Sequence, residues 1–242
     1  LHGGNLPDRL RRSKHACDIL FKNSYTNVAV SGYLKHEFEK AGYNAIVIPN
    51  HINLSLYHFK ERKSPGPRMI WVRSFHRQYN PKMAVDVLYG LLKTYPDARL
   101  CMVGPEKDGS LRKFMEQANR LGITDKIAIM GLLPKDEWIK LAEDYDFFIN
   151  TTNVDNTPVS VIEAMALGLC VISTNPGGIP FMVQNNFNAI LCKPGDSNEM
   201  SEQIIKLINS RSSYTRIVSE GRKTAEKYSW EIVRLAWDEL LN

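Results

Sequence analysis

The chain has 242 residues, enough for one large α/β domain or two small ones with a continuous hydrophobic core. A hydrophobic share of 43% and a charged share of 24% are those of an ordinary globular chain and exclude disorder, collagen and coiled coil. Lys plus Arg number 31 against 26 Asp plus Glu, a formal charge of +5; that suits an anionic ligand or a membrane surface but lacks the dense basic blocks of a nucleic-acid binder.

Taken in chain order, short β-branched runs alternate with amphipathic stretches. They predict strands at 27–31, 45–49, 68–73, 98–104, 126–131, 146–151, 170–174 and 189–192. The helices between them fall near 33–41, 81–94, 109–121, 135–143, 158–167, 198–209 and 213–227. Met69-Ile70-Trp71-Val72 and Leu100-Cys101-Met102-Val103 are apolar on both parities, as strands covered on both faces must be. The expected fold is therefore α/β, a doubly wound parallel sheet with right-handed crossovers, joined to a fragment of a second α/β domain.

Three segments are expected. Residues 1–57 hold too few elements to close a sheet and read as the end of a domain whose start lies upstream of Leu1. Arg9, Arg11, Arg12 and Lys14 within them read as a solvated helix face, with a surface for a lipid-linked acceptor as the alternative. The polar, proline-bearing stretch 58–67 reads as a boundary loop opening a ligand-binding domain over 58–228. A last helix over 229–242, capped by Ser229, carries an apolar stripe of Trp230, Val233, Trp237 and Leu240-Leu241 that reads as core, packing back toward the first segment.

Several chemistries lack their signature. No CxxC pair occurs among Cys17, Cys101, Cys170 and Cys192, and the last three lie in apolar runs, so they read as buried thiols of a reducing compartment. Neither G-x-G-x-x-G after a strand nor G-x-x-x-x-G-K-[ST] is present, and the six histidines show no ligand spacing. Asp144-Tyr145-Asp146 spells D-x-D but precedes its strand, whereas a ligand site belongs at strand carboxyl ends. No metal site and no cofactor are expected. No apolar run approaches the roughly 18 residues of a membrane span, which leaves at most peripheral membrane contact.

The densest signal is the stretch from Asp155 to Gly168, directly after the apolar run 147–150. Asn156 or Thr157 is placed to cap a helix whose first residue is Pro158. Its free amides and positive dipole end face the ligand side of the sheet, an anion site. Glu163 lies two turns beyond Asn156 on the same face, placed to accept hydrogen bonds from a diol such as a ribose.

Asp155 through Glu163 resembles the E-x7-E motif of retaining glycosyltransferases of family 4, which have the GT-B fold with Rossmann-like domains. The likeness continues through Ala164-Met165-Ala166-Leu167-Gly168, Gly177-Gly178-Ile179-Pro180 and Pro194-Gly195-Asp196. Upstream it takes in Gly131-Leu132-Leu133-Pro134, Val103-Gly104 and Ile48-Pro49-Asn50. The resemblance implies a catalytic set of Asp155, holding the transferred sugar, Glu163, holding the ribose, and Arg73, neutralising the diphosphate. It further implies donor contacts from Asn156, Thr157, Pro158 and Val159, base contacts from the loop Gly131, Leu132, Leu133, and candidate donor contacts from His76, Tyr79 and Lys82. His2 resembles the family's acceptor-side histidine. Four positions depart from the pattern: Asp155 replaces Glu, Val72 replaces the glycine before the arginine, the family's lysine falls near Tyr79, and Phe181 stands where Glu is common.

The resemblance implies retaining, metal-independent transfer from a nucleoside diphosphate sugar to a hydroxyl acceptor, a glycan or lipid-linked glycan of polysaccharide biosynthesis. The setting would be the cytoplasm or the inner face of a membrane. This chain would supply the donor-binding half and be inactive alone. Alternatives are a non-catalytic nucleotide-sugar-binding module and another sugar-nucleotide enzyme, such as an epimerase, on the same fold.

Overall fold

The computed structural model describes residues 6–242; His2, the acceptor-side candidate, lies outside the described residues. A small first unit holds α1 (Leu6–Arg12), α2 (Lys14–Lys22), β1 (Val28–Ala29), α3 (Gly32–Lys40) and β2 (Ile46–Val47). Leu10, Cys17, Phe21, Leu34 and Phe38 bury one face of each helix around Ala29 and Val30. Phe21 meets Phe38 edge-on at 4.8 Å. Arg9, Arg11, Arg12 and Lys14 are exposed, the solvated face expected of them. The two strands pair in parallel over two residues only. They are shorter than expected because each has a single neighbour, so the flanking residues meet no second ladder.

The rest of the chain forms β3 (Arg68–Val72), α4 (Pro81–Leu92), β4 (Arg99–Val103), α5 (Ser110–Arg120), β5 (Ile127–Gly131) and α6 (Lys135–Leu141). It continues with β6 (Phe147–Asn150), α7 (Val159–Ala166), β7 (Cys170–Thr174), α8 (Ile179–Met182) and β8 (Ile190–Cys192), then α9 (Ser197–Ile208), α10 (Arg211–Glu226) and α11 (Trp230–Leu241). Six strands pair in parallel in the order β5-β4-β3-β6-β7-β8. The winding reverses between β3 and β6, and the carboxyl ends of those two strands border the crevice where such sheets bind ligands.

Strand parity divides the core. Met69, Trp71, Leu100, Met102, Phe147 and Ile149 pack under α4, α5, α9 and α10. Ile70, Cys101, Val103, Phe148 and Val171 pack on the other face with Trp138, α7 and α8. Each such side chain, when fully buried, contributes about 1.5–3 kcal/mol, so neither face tolerates a register slip.

The boundary loop at 58–67 is not a free linker. Arg62 is 8% exposed, and its guanidinium donates to the carbonyls of Lys60, Ala142, Tyr145, Leu167 and Gly168. A planar five-donor group strung through backbone acceptors makes the stretch a strap on the six-stranded unit. The D-x-D aspartate likewise serves the strand amino edge: Asp146 accepts from Arg68 Nε at 2.8 Å and from the Gly66 amide at 3.1 Å. Along the stripe on α11, Val233 is buried, Trp237 and Leu240 are half-buried, and Trp230 and Leu241 are exposed, with the Trp230 ring centre 4.6 Å from that of His51. The chain crosses between the two units through Ile52, which pairs with Ser229. No helix among the described residues is long and apolar enough to cross a membrane.

Candidate functional site

Arg73 follows β3 and Asp155 follows β6, so the switch point brings them together across 82 residues of sequence. The Arg73 Nη2 donates to Asp155 Oδ2, and Asp155 Oδ1 accepts from the Asn156 amide at 2.9 Å. Burial pushes the Asp155 carboxyl above the usual carboxylate range, outweighing the opposite pull of Arg73 and the Asn156 amide. The pair is therefore held at a desolvation cost. Arg73 Nε is buried with no acceptor, so the guanidinium retains an unused donor.

The Arg73 guanidinium also lies 4.9 Å from the centre of the Tyr79 ring. At the position nearest the family's lysine, then, the ring is a platform for the arginine rather than a second cation. The turn bearing Tyr79 is laced to the loop after β6. The Thr151 hydroxyl donates to the Tyr79 and Asn80 carbonyls at 2.8 and 3.0 Å, Asn153 N to the Gln78 carbonyl at 2.7 Å, and Gln78 Nε2 to the Val154 carbonyl at 3.0 Å.

Two glycines allow the close approach. A Cβ on Gly104 would lie 1.7 Å from the Arg73 carbonyl oxygen, and one on Gly178 would lie 1.7 Å from that of Asn156. Gly178 N donates to the Asp155 carbonyl at 2.9 Å. The Gly177-Gly178 pair, weak as a sequence signal, is what lets the loop after β7 press against the Asp155 loop.

The helix bearing Glu163 opens one residue later than expected. Pro158 occupies the cap position of α7 with no side-chain cap, because the Thr157 hydroxyl instead donates to the Val30 carbonyl of the first unit at 3.3 Å. The body of α7 is buried from Ser160 to Ala166, and Ser160 Oγ in its first turn has no partner. At the other end Arg62 takes the Leu167 and Gly168 carbonyls and Arg222 takes that of Ala166. Among the described residues the last carbonyls of this helix find arginine donors, while its first turn has no side-chain cap and only the Val161 amide bonds back, to the Pro158 carbonyl at 3.0 Å.

Glu163 is 5% exposed. Its Oε1 accepts from the Tyr57 hydroxyl at 2.7 Å and from Lys135 Nζ at 2.5 Å. Burial, then the bond to Glu163, raises the Tyr57 phenol far above its ordinary value, so it stays protonated and donates. Neither Tyr57 nor Lys135 was among the residues expected here. Lys135 sits two residues past the Leu133 of the base-loop motif and was within reach of it, but nothing in the sequence ties Tyr57 to a residue 106 positions away.

Beside the Arg73–Asp155 pair a cleft of about 300 Å³ is lined by Arg73, Tyr79, Gly104, Leu132, Leu133 and Trp138, with Val72, Ser74, Val103 and Pro105. Gly131 closes β5 with φ +66°, turning Leu132 outward to 75% exposure. His76 and Lys82 do not line this cleft. They border a neighbouring hollow with Arg77, Asp108 and Lys113, where His76 Nε2 lies 3.7 Å from Asp108. Phe181 bridges the two units, its ring centre 6.4 Å from that of Tyr33 and its edge against Gly32. Among the described residues no group of three or more His, Cys, Asp or Glu is placed to hold a metal.

The chain is 26% identical over 151 residues to the sulfoquinovosyl transferase SQD2 of Arabidopsis thaliana, covering 61% of this chain and 28% of that protein. It is 27% identical over 146 residues to the N-acetyl-alpha-D-glucosaminyl L-malate synthase of Bacillus anthracis, covering 59% and 37%. The matched segments thus span well under half the length of these relatives. Among solved structures, Anabaena HepE in complex with UDP-glucose superposes with a TM-score of 0.86 at 19% identity, over 100% of this chain and 70% of that one. Sucrose-phosphate synthase of Thermosynechococcus elongatus gives 0.84 at 17%, over 99% and 65%. At such identities these two structures establish the parallel-sheet α/β fold of GT-B proteins and nothing finer. The family described as glycosyl transferases group 1 matches residues 56–224, from just before the strap into the last turn of α10. The chain belongs to the glycosyl transferases group 1 family.

Proposed function

We propose that these residues bind the diphosphate and ribose of a nucleoside diphosphate sugar, and that the whole protein transfers the sugar to a hydroxyl acceptor with retention of configuration. The observation that carries the reading is the meeting, at the switch point, of an arginine whose buried Nε has no acceptor and a buried helix whose first turn has no side-chain cap. Both are shaped for an anion. Glu163 would take the ribose diol, Asp155 the hydroxyls of the transferred sugar, and the amides of Asn156 through Val159 the sugar and diphosphate. The base would lie in the cleft by Leu132 and Leu133.

In the reaction the bond from the anomeric carbon to the leaving phosphate oxygen breaks, and the acceptor oxygen bonds to the same face. The departing phosphate takes the acceptor proton. The protein's part is positioning and neutralisation. Arg73 exchanges Asp155 for the diphosphate as charge develops there, and Asp155 is released toward the sugar. This reading gives neutralisation to Arg73 and the α7 dipole rather than to a divalent ion.

The acceptor, a glycan or lipid-linked glycan, would be held by the N-terminal half of which the first unit is the end. These 242 residues alone would bind donor without transferring it. The cytoplasm or the inner face of a membrane is the proposed setting. Titration calorimetry with UDP, GDP and ADP tests the reading. One of them binds the wild type, and Glu163→Ala weakens it at least about tenfold, the loss of one or two charge-assisted hydrogen bonds. Unchanged affinity overturns the assignment.

A further inference from the structure

We propose that Tyr57, on the crossover between the two units, is a positioning residue of the ribose site: it holds one oxygen of Glu163 so that the other is presented to the nucleoside. The proposal rests on the reading of Glu163 given above. Both donors to this carboxylate, the Tyr57 hydroxyl and Lys135 Nζ, converge on Oε1. No hydrogen bond among the described residues reaches Oε2, and it is not among the buried atoms left without a partner. An ionised carboxylate offers about four acceptor sites. Two on Oε1 are taken, and the free oxygen is geometrically defined because the taken one is fixed.

Tyr57 suits this task better than Lys135. Its side chain is 2% exposed and has two rotatable bonds, whereas Lys135 is 54% exposed on a long flexible stem. The Tyr57 backbone is fixed to the same helix that carries Glu163. Its carbonyl accepts from Arg222 Nη1 at 2.9 Å, and the same nitrogen donates to the Ala166 carbonyl of α7 at 2.7 Å. The phenol and the carboxylate therefore move as one body. Lys135 supplies the compensating charge that makes burial of Glu163 tolerable.

The test compares the nucleoside diphosphate bound most tightly among UDP, GDP and ADP with its 2′,3′-dideoxy form, on the wild type and on Tyr57→Phe, which keeps the ring. The wild type prefers the ribose form. Tyr57→Phe lowers that preference about tenfold, as expected for a hydrogen bond to a charged group, and leaves dideoxy affinity within about twofold, which also shows that the site is folded. An unchanged preference in Tyr57→Phe overturns the proposal, as does an equal loss of both ligands, since a merely structural role would weaken them together. A wild type without ribose preference overturns the reading of Glu163 itself, and the wild-type arm tells this failure from the other.

Discussion

Replacing Gly178 by alanine isolates the close approach on which the proposed donor site depends. The backbone there is ordinary, with φ −85°, so alanine meets no conformational strain. The conflict is spatial: a Cβ would lie 1.7 Å from the Asn156 carbonyl oxygen, where ordinary contact begins at 3.4 Å, so one of the two loops must retreat by about 1.7 Å. The loop that gives way carries Asp155 and Asn156, and displacement of order 1 Å in a positioned group costs up to about 100-fold. Nucleotide affinity of Gly178→Ala is expected to fall between about 10- and 100-fold, with overpacking lowering stability by about 1–3 kcal/mol. Titration calorimetry with UDP, GDP and ADP reads the first and urea unfolding the second. Affinity within twofold of the wild type would show that the loop after β7 does not set the position of the amides from Asn156 onward and would refute the reasoning.

Two further outcomes follow from buried charge. Arg62→Met removes a donor from five backbone carbonyls, of which those of Ala142 and Leu167 keep a backbone amide, and should cost about 2–4 kcal/mol in urea unfolding; a loss below 1 kcal/mol sinks the strap. Asp155→Asn should unfold at a higher temperature than the wild type at neutral pH. The folded carboxyl pKa is raised by burial, so the charged form is disfavoured in the fold above that pKa and the wild type regains the deficit as pH falls. The gap between the two closes near pH 4, about the unfolded aspartate value, and a wild type more stable than the variant at neutral pH would reverse the sign.

The sheet was legible in the sequence because its strands are apolar on both parities, and the structure divides that pattern between two cores: Trp71 and Met102 on one face, Ile70 and Cys101 on the other. Strand order follows from the crossover rules only once the pairing of β3 with β6 is known, and nothing in the sequence states that pairing. The order of the boundary loop was not legible for a related reason. The stretch from His58 to Pro67 is polar and aperiodic, as linkers are, but its order comes from a single arginine whose acceptors lie at residues 60, 142, 145, 167 and 168. The stripe on α11 has core periodicity but is fully buried only at Val233 and half-buried at Trp237 and Leu240, since periodicity reports which face is apolar and not what covers it.

The site divides along the same line. Asp155, Arg73 and Glu163 could be picked out because each stands in a local motif, whereas Tyr57 and Lys135 act on Glu163 across 106 and 28 residues. What no motif conveys is the asymmetry of α7. A helix buried along its body needs partners at both ends. Arg62 and Arg222 satisfy its last carbonyls, yet Thr157, the natural cap, turns away to Val30 and leaves the first turn without a side-chain acceptor. Two arginines spent on one end and none of the nearby hydroxyls on the other is a poor arrangement for stability alone. It becomes a sensible one when an anion completes the open end, because the fixed cations at the carboxyl terminus already balance that end of the dipole and leave the amino terminus to be balanced by ligand.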